Sequence, residues 1–137
     1  MIRPFHLAFP VKDLNVTKKW YAEILGCSIG RESNEWIDFN FYGHQIVAHL
    51  SNKNSSYLTN NVDNKNVPIR HFGVILTVSQ WKALTRKLKK LNVEFLIHPY
   101  KRFKNKKGEQ YTLFIKDPSG NALEFKAFKN NYMIFEN

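Results

Sequence analysis

Cysteine is nearly absent: the chain of 137 residues holds one, Cys27. A single thiol forms no internal disulfide and no multi-thiolate zinc site. In ILGCSIG it reads as a small buried hydrophobe. Long apolar runs are missing too. No stretch approaches the roughly 20 residues that cross a bilayer. The opening MIRPFHLAFPVKD lacks the long apolar core and small-residue cleavage site of a signal peptide. A cytoplasmic protein without membrane contact is expected. Acidic residues are scarce, 11 against 21 lysines and arginines, for a formal charge of +10. Such a balance raises nucleic acid as a partner. The positive residues are spread over several segments, however, and no helix-turn-helix, zinc finger or aromatic RNA-binding signature appears. Nucleic-acid binding is therefore not expected. The densest basic stretch, KRFKNKKGE from Lys101 to Glu109, reads as a solvated loop or as a basic flap over an anionic substrate. There is no G-x-S-x-G, P-loop or dinucleotide fingerprint.

What is present is a repeat, which decides the fold. RPFHLAFPVKDL and PIRHFGVILTVS are each an apolar strand with a histidine near its start, and each runs into an N-cap candidate, Asp13 or Ser79. His6 and His71 are the matched histidines. After Asp13, Leu14, Thr17, Trp20, Tyr21, Ile24 and Leu25 fall near one helical face, and Gly26 is a natural helix stop. After Ser79, Trp81, Leu84, Leu88 and Leu91 form one stripe, with Asn92 at the matching stop. Three strand-like segments follow in each half: about 27–31, WIDFNFY and HQIVAHL, then VEFLIH, QYTLFI and NALEFKAF. The turns YGH and KDPSGN separate the last two strands of each half. The polar segment Ser51 to Pro68 reads as a linker. The chain is thus one domain: a first module over about 2–50, the linker over about 51–68, a second module over about 69–128, and a tail over 129–137.

Period-two alternation assigns faces. Phe5, Leu7 and Phe9 share the helix-covered face of the first strand, which leaves His6 and Ala8 on the other. Phe72, Val74 and Leu76 leave His71 and Gly73 in the same way. In NALEFKAF, Leu123 and Phe125 are packing residues and Glu124 faces away. A carboxylate flanked by Leu and Phe is expensive to bury unless it is paired or metal-bound. Aligning AHL with LEF makes His49 the repeat mate of Glu124. Four metal-competent side chains then occupy equivalent places in the two halves. His44 reads as a turn residue, His98 as structural, Gln45 as sharing the face of His49 and lining the cup, and Asp117 and Asn121 as fixing turn geometry.

FHLAFPVKDLNVTKKWYAEILGC, RHFGVIL and FIKDPSGNALEF together resemble the vicinal oxygen chelate superfamily, which includes glyoxalase I, extradiol dioxygenases, fosfomycin-resistance thiol transferases and bleomycin-binding proteins. The resemblance runs over about residues 2 to 128. It implies an α+β fold of two βαβββ modules forming a cupped mixed sheet with helices outside. It implies a divalent metal held by His6, His71 and Glu124. Two histidines and one carboxylate are the facial triad of non-haem Fe(II) oxygenases, and the same donors suit Mn(II), Zn(II) or Ni(II). His49 lies where glyoxalase I carries a fourth ligand, so ligand and acid/base roles are both open to it. Phe114 stands where extradiol dioxygenases carry a tyrosine. The function implied is a metal-dependent enzyme with dioxygenase-like chemistry on a small substrate with adjacent oxygens. The alternatives are a glyoxalase-like lyase and a metal-free small-molecule-binding protein. A homodimer is the expected assembly.

Overall fold

The computed structural model describes residues 2–53 and 58–137. Contacts divide the chain into two compact units: residues 1–56 with 117–121, and residues 57–116 with 122–137. Each is a βαβββ module, so the architecture is α+β with the modules paired in sequence, as the repeat predicts.

In the first unit, β1 (His6–Val11) leads into α1 (Leu14–Glu23), followed by β2 (Ser28–Glu32), β3 (Trp36–Phe41) and β4 (His44–Leu50). The strands form one sheet in the order β1-β4-β3-β2, with β1 parallel to β4. Asp13 caps α1 as expected, accepting the Val16 amide at 2.9 Å. Gly26 takes φ +71 just after the helix, a left-handed conformation that admits glycine without a Cβ penalty. Thr17 and Tyr21 bury their side chains from α1, and the Tyr21 ring stacks on Phe39 at 5.0 Å. One expectation fails at the chain start. Phe5 has the parity of Leu7 and Phe9 but is 62% exposed, because it lies before the first paired residue of β1 and the core begins at Phe9.

The turn 117–121 belongs to this unit through its own hydrogen bonds. Tyr21 Oη donates to Asp117 Oδ2 at 2.9 Å, and Asn121 Nδ2 donates to the Pro10 carbonyl at 2.8 Å. Asp117 Oδ1 accepts the amides of Ser119 and Asn121, each at 2.9 Å. Burial pushes the Asp117 carboxyl above its ordinary range, although these donors pull it back. Asp117 and Asn121 thus fix turn geometry, as expected.

In the second unit, β5 (Leu58–Val62) and β6 (Lys65–Ile69) form a hairpin. Next come β7 (Phe72–Leu76), α2 (Val78–Lys90), β8 (Phe95–Arg102), β9 (Gln110–Lys116) and β10 (Ala122–Phe128). The main sheet runs β7-β10-β9-β8, the order of the first unit repeated. The stripe on α2 is buried at Trp81, Leu84 and Leu88, and Trp81 Nε1 donates to the Phe125 carbonyl at 2.9 Å.

Two expectations are corrected here. The N-cap of α2 is Thr77, not Ser79. Thr77 and Gln80 make a reciprocal capping box, and Ser79 lies inside the first turn. The segment read as a linker carries the β5–β6 hairpin from Leu58 onward. Its turn, Asp63 and Asn64, has φ of +52 and +60, which polar Asp and Asn tolerate. Residues 54–57 of that segment lie outside the described residues. The tail forms a 3-10 helix, Asn131–Phe135. No helix among the described residues is long and apolar enough to cross a membrane.

Candidate metal centre

Strand alternation places one candidate pair together. His71 immediately precedes β7, and Glu124 lies opposite Gly73 in the parallel β7–β10 pair. His71 Nε2 stands 3.2 Å from Glu124 Oε2. The other ring nitrogen, Nδ1, is 2.7 Å from the Pro68 carbonyl oxygen at the end of the hairpin. A carbonyl only accepts, so Nδ1 carries the proton, and in the neutral ring the Nε2 lone pair points at the carboxylate. Phe114 lies edge-on to the imidazole at 4.9 Å and closes one side of it.

Glu124 uses its two oxygens differently. Oε2 faces His71, whereas Oε1 accepts from Thr112 Oγ1 at 3.0 Å and lies 3.5 Å from Lys126 Nζ. Burial pushes Glu124 up. The hydrogen bond from the protonated His71 ring, the Lys126 ammonium and the Thr112 hydroxyl outweigh it, and the carboxyl is held below its usual range. Conversely, the hydrogen bond with Glu124 raises His71 above the ordinary histidine value, against the opposing effect of burial. Thr112 and Lys126 escaped the sequence reading. Period two would have found both, since Thr112 shares the face of Phe114, and Lys126 shares that of Glu124.

These shifts set the pH response of the metal-free protein. A raised His71 pKa contributes stability that is full below the unfolded value of about 6.5 and is lost as pH rises through the folded value. A lowered Glu124 pKa contributes stability that is full above about 4.5 and is lost as pH falls through the folded value. The pair therefore stabilises the fold most between about pH 4.5 and 6.5. In chelator-treated protein, the thermal midpoint is expected to fall as pH rises above 6.5, and His71→Gln should flatten that limb. An equal decline in both proteins would contradict the assignment.

The first unit carries its own histidine arrangement. His6 Nδ1 lies 2.8 Å from Gln45 Oε1 across the β1–β4 pair, and Gln45 Nε2 donates to Asp38 Oδ2 at 3.3 Å. Asp38 is buried on β3, with Arg31 Nε at 3.8 Å. A carboxylate accepts only, so the Gln45 amide turns its NH2 to Asp38 and its oxygen to His6. His6 Nδ1 must then donate, and its Nε2 is the nitrogen left for a ligand. Two separate modules thus anchor a histidine by Nδ1 and present Nε2.

His49 is not the repeat mate of Glu124. Ala8 pairs with Val47 as Gly73 pairs with Glu124, so Val47 stands at the equivalent position and His49 corresponds to Lys126. The alignment slipped by two residues, a shift that preserves which face a side chain takes and is therefore invisible to alternation. His49 is exposed, opposite Pro10 and Trp36 and four residues along β4 from Gln45, the partner of His6. His44 Nδ1 accepts the Phe5 amide at 2.8 Å, a structural role at the strand start. Among the described residues, no three His, Cys, Asp or Glu side chains gather as a complete metal cluster. Within the second unit the donor chemistry nonetheless suits a divalent ion, an imidazole with an oriented Nε2 beside an ionised carboxylate, each tied by a further hydrogen bond, and His6 in the first unit is a donor of the same kind.

Residues 3–125 match the Glyoxalase/Bleomycin resistance protein/Dioxygenase superfamily, and the chain belongs to it. A glyoxalase/bleomycin resistance protein/dioxygenase from Alicyclobacillus acidocaldarius is 30% identical, with a TM-score of 0.82, covering 97% of this chain and 96% of that one. The fosfomycin resistance protein FosX from Listeria monocytogenes is 18% identical, with a TM-score of 0.73, covering 98% and 100%. A lactoylglutathione lyase from Agrobacterium tumefaciens is 14% identical, with a TM-score of 0.67, covering 98% and 97%. The last two are similar in fold alone. No curated protein matches by sequence.

Proposed function

We propose that this protein is a metal-dependent enzyme of the vicinal oxygen chelate type, with dioxygenase-like chemistry on a small substrate bearing adjacent oxygens. The observation that carries this reading is the His71–Glu124 pair, whose Nε2 and Oε2 stand 3.2 Å apart while the Pro68 carbonyl and the Thr112 hydroxyl hold the other polar atoms of the two side chains. The ligands are His6, His71 and Glu124, and the ion is Fe(II) by preference, with Mn(II), Zn(II) and Ni(II) suited to the same donors. When bound, the ion supplies a Lewis acid with open positions for two neighbouring oxygens. Three protein ligands suffice, since apolar Val47 occupies the place equivalent to Glu124. His49, on the same face as His6, is the proton carrier, and the active protein is a homodimer.

Gln45 and Asp38 orient His6 in this scheme. Gln45→Leu is expected to lower metal affinity by about ten- to a hundredfold, the scale of a lost partner behind a metal-bound histidine. Metal titration checks it, with the thermal midpoint as the control for folding.

A glyoxalase-like lyase is the second reading. It is favoured by Phe114, an apolar, buried residue against His71 where extradiol enzymes carry a tyrosine. Elemental analysis after anaerobic purification tests the shared part: near one divalent ion per chain is expected. Oxygen uptake with catechols then separates dioxygenase chemistry from the lyase, which instead consumes hemithioacetal absorbance. A protein that takes up no metal yet binds small molecules would be a sequestering module and would overturn both.

A further inference from the structure

Lys126 poses a problem of charge. Its ammonium lies 3.5 Å from Glu124 Oε1, and its side chain is 27% exposed. Thr112 already holds that oxygen at 3.0 Å, so the lysine is not needed to satisfy it. A fixed cation beside a carboxylate that is to bind a dication weakens the metal. A divalent ion on two neutral imidazoles and one carboxylate carries a net charge of +1, and the adjacent lysine brings the sum to +2.

Among the described residues, the groups along this row do not remove that surplus. Thr112 pairs with Lys126 on one side and Tyr100 on the other, so the three share one row across the sheet face. Tyr100 Oη donates to Asp63 at 3.0 Å, and Arg102 Nε occupies the same Asp63 oxygen at 2.6 Å. Lys65 Nζ sits over the Tyr100 ring at 4.2 Å. Asp63 is thus matched by Arg102, while Lys65 and Lys126 add positive charge along the row. The whole chain carries +10, which draws small anions toward such a face.

We infer that Lys126 is a substrate-binding residue and that the substrate is a small chelating anion whose negative group supplies one of the two adjacent oxygens, as in 2-hydroxy- or 2-oxocarboxylates. This inference rests on the metal-dependent reading above. The anion supplies the missing negative charge, and Lys126 exchanges part of its contact with Glu124 for a charge-assisted bond to the ligand.

The test uses Mn(II)-loaded full-length protein and a matched pair of probes, lactate and lactamide, which each offer a hydroxyl and an adjacent acyl oxygen at the same spacing but differ in charge. Calorimetry measures each affinity in wild type, Lys126→Met and Lys126→Arg. Lys126→Met is expected to weaken lactate about tenfold and to change lactamide less than twofold, and Lys126→Arg to keep most of the preference. Affinity for Mn(II) alone, in the absence of either probe, should stay equal or rise in Lys126→Met. An unchanged lactate preference in Lys126→Met overturns the inference. So does a fall in Mn(II) affinity, which would make Lys126 a strut for Glu124. Failure of wild type to bind Mn(II) would instead overturn the metal-dependent reading itself, and this one with it.

Discussion

Glu124→Ala is expected to empty the proposed metal centre, lowering affinity for a divalent ion by at least about a hundredfold, beyond the usual cost of losing a supporting group. Three consequences meet in that one change. The anionic ligand is lost. The His71 ring loses the group facing its Nε2 at 3.2 Å. The Lys126 ammonium, now without its carboxylate, stands beside the remaining donors and repels any cation. His6→Ala removes one neutral ligand only, and its effect should be smaller. Metal analysis of both variants beside wild type measures the difference. Full occupancy in both would sink the ligand assignment.

The second large effect is in the backbone. Gly73 lies opposite Glu124, and a Cβ built on it overlaps the Glu124 carbonyl. Main chain cannot yield as a flexible side chain can, so Gly73→Ala must push β7 and β10 apart. Those strands bring His71 and Glu124 together. We expect a loss of about 3 kcal/mol or more, on the scale of severe core or backbone mutations, measured by urea unfolding, with metal affinity falling in step. An alanine variant of native stability would show that the strands have slack there. Ala8, the matching residue of the first unit, already tolerates a Cβ opposite Val47.

The order of elements was legible because two periodicities alternate cleanly along the chain. Phe72, Val74 and Leu76 mark a strand; Trp81, Leu84 and Leu88 mark a helix; and the pattern recurs once. The Ser79 N-cap failed because Thr77, Ser79 and Gln80 lie within one turn, and only the capping geometry selects Thr77. The hairpin was hidden by composition. Leu58 to Val62 is polar and largely exposed, and such a strand carries little hydrophobic signal. At the site, the repeat matched His6 with His71 but slipped by two residues between His49 and Glu124. What orients the two matched histidines was not legible: the Pro68 carbonyl is a backbone atom with no residue signature, and the His6–Gln45–Asp38 chain depends on cross-strand register.

The Pro68 carbonyl also changes what the stretch between the modules is for. It caps a short ribbon whose far end steers an imidazole, so the length of that ribbon is a tuning parameter and not spare tether. Natural variation or engineering that trims it to a featureless connector would release the ring to rotate, while leaving every proposed ligand in the sequence.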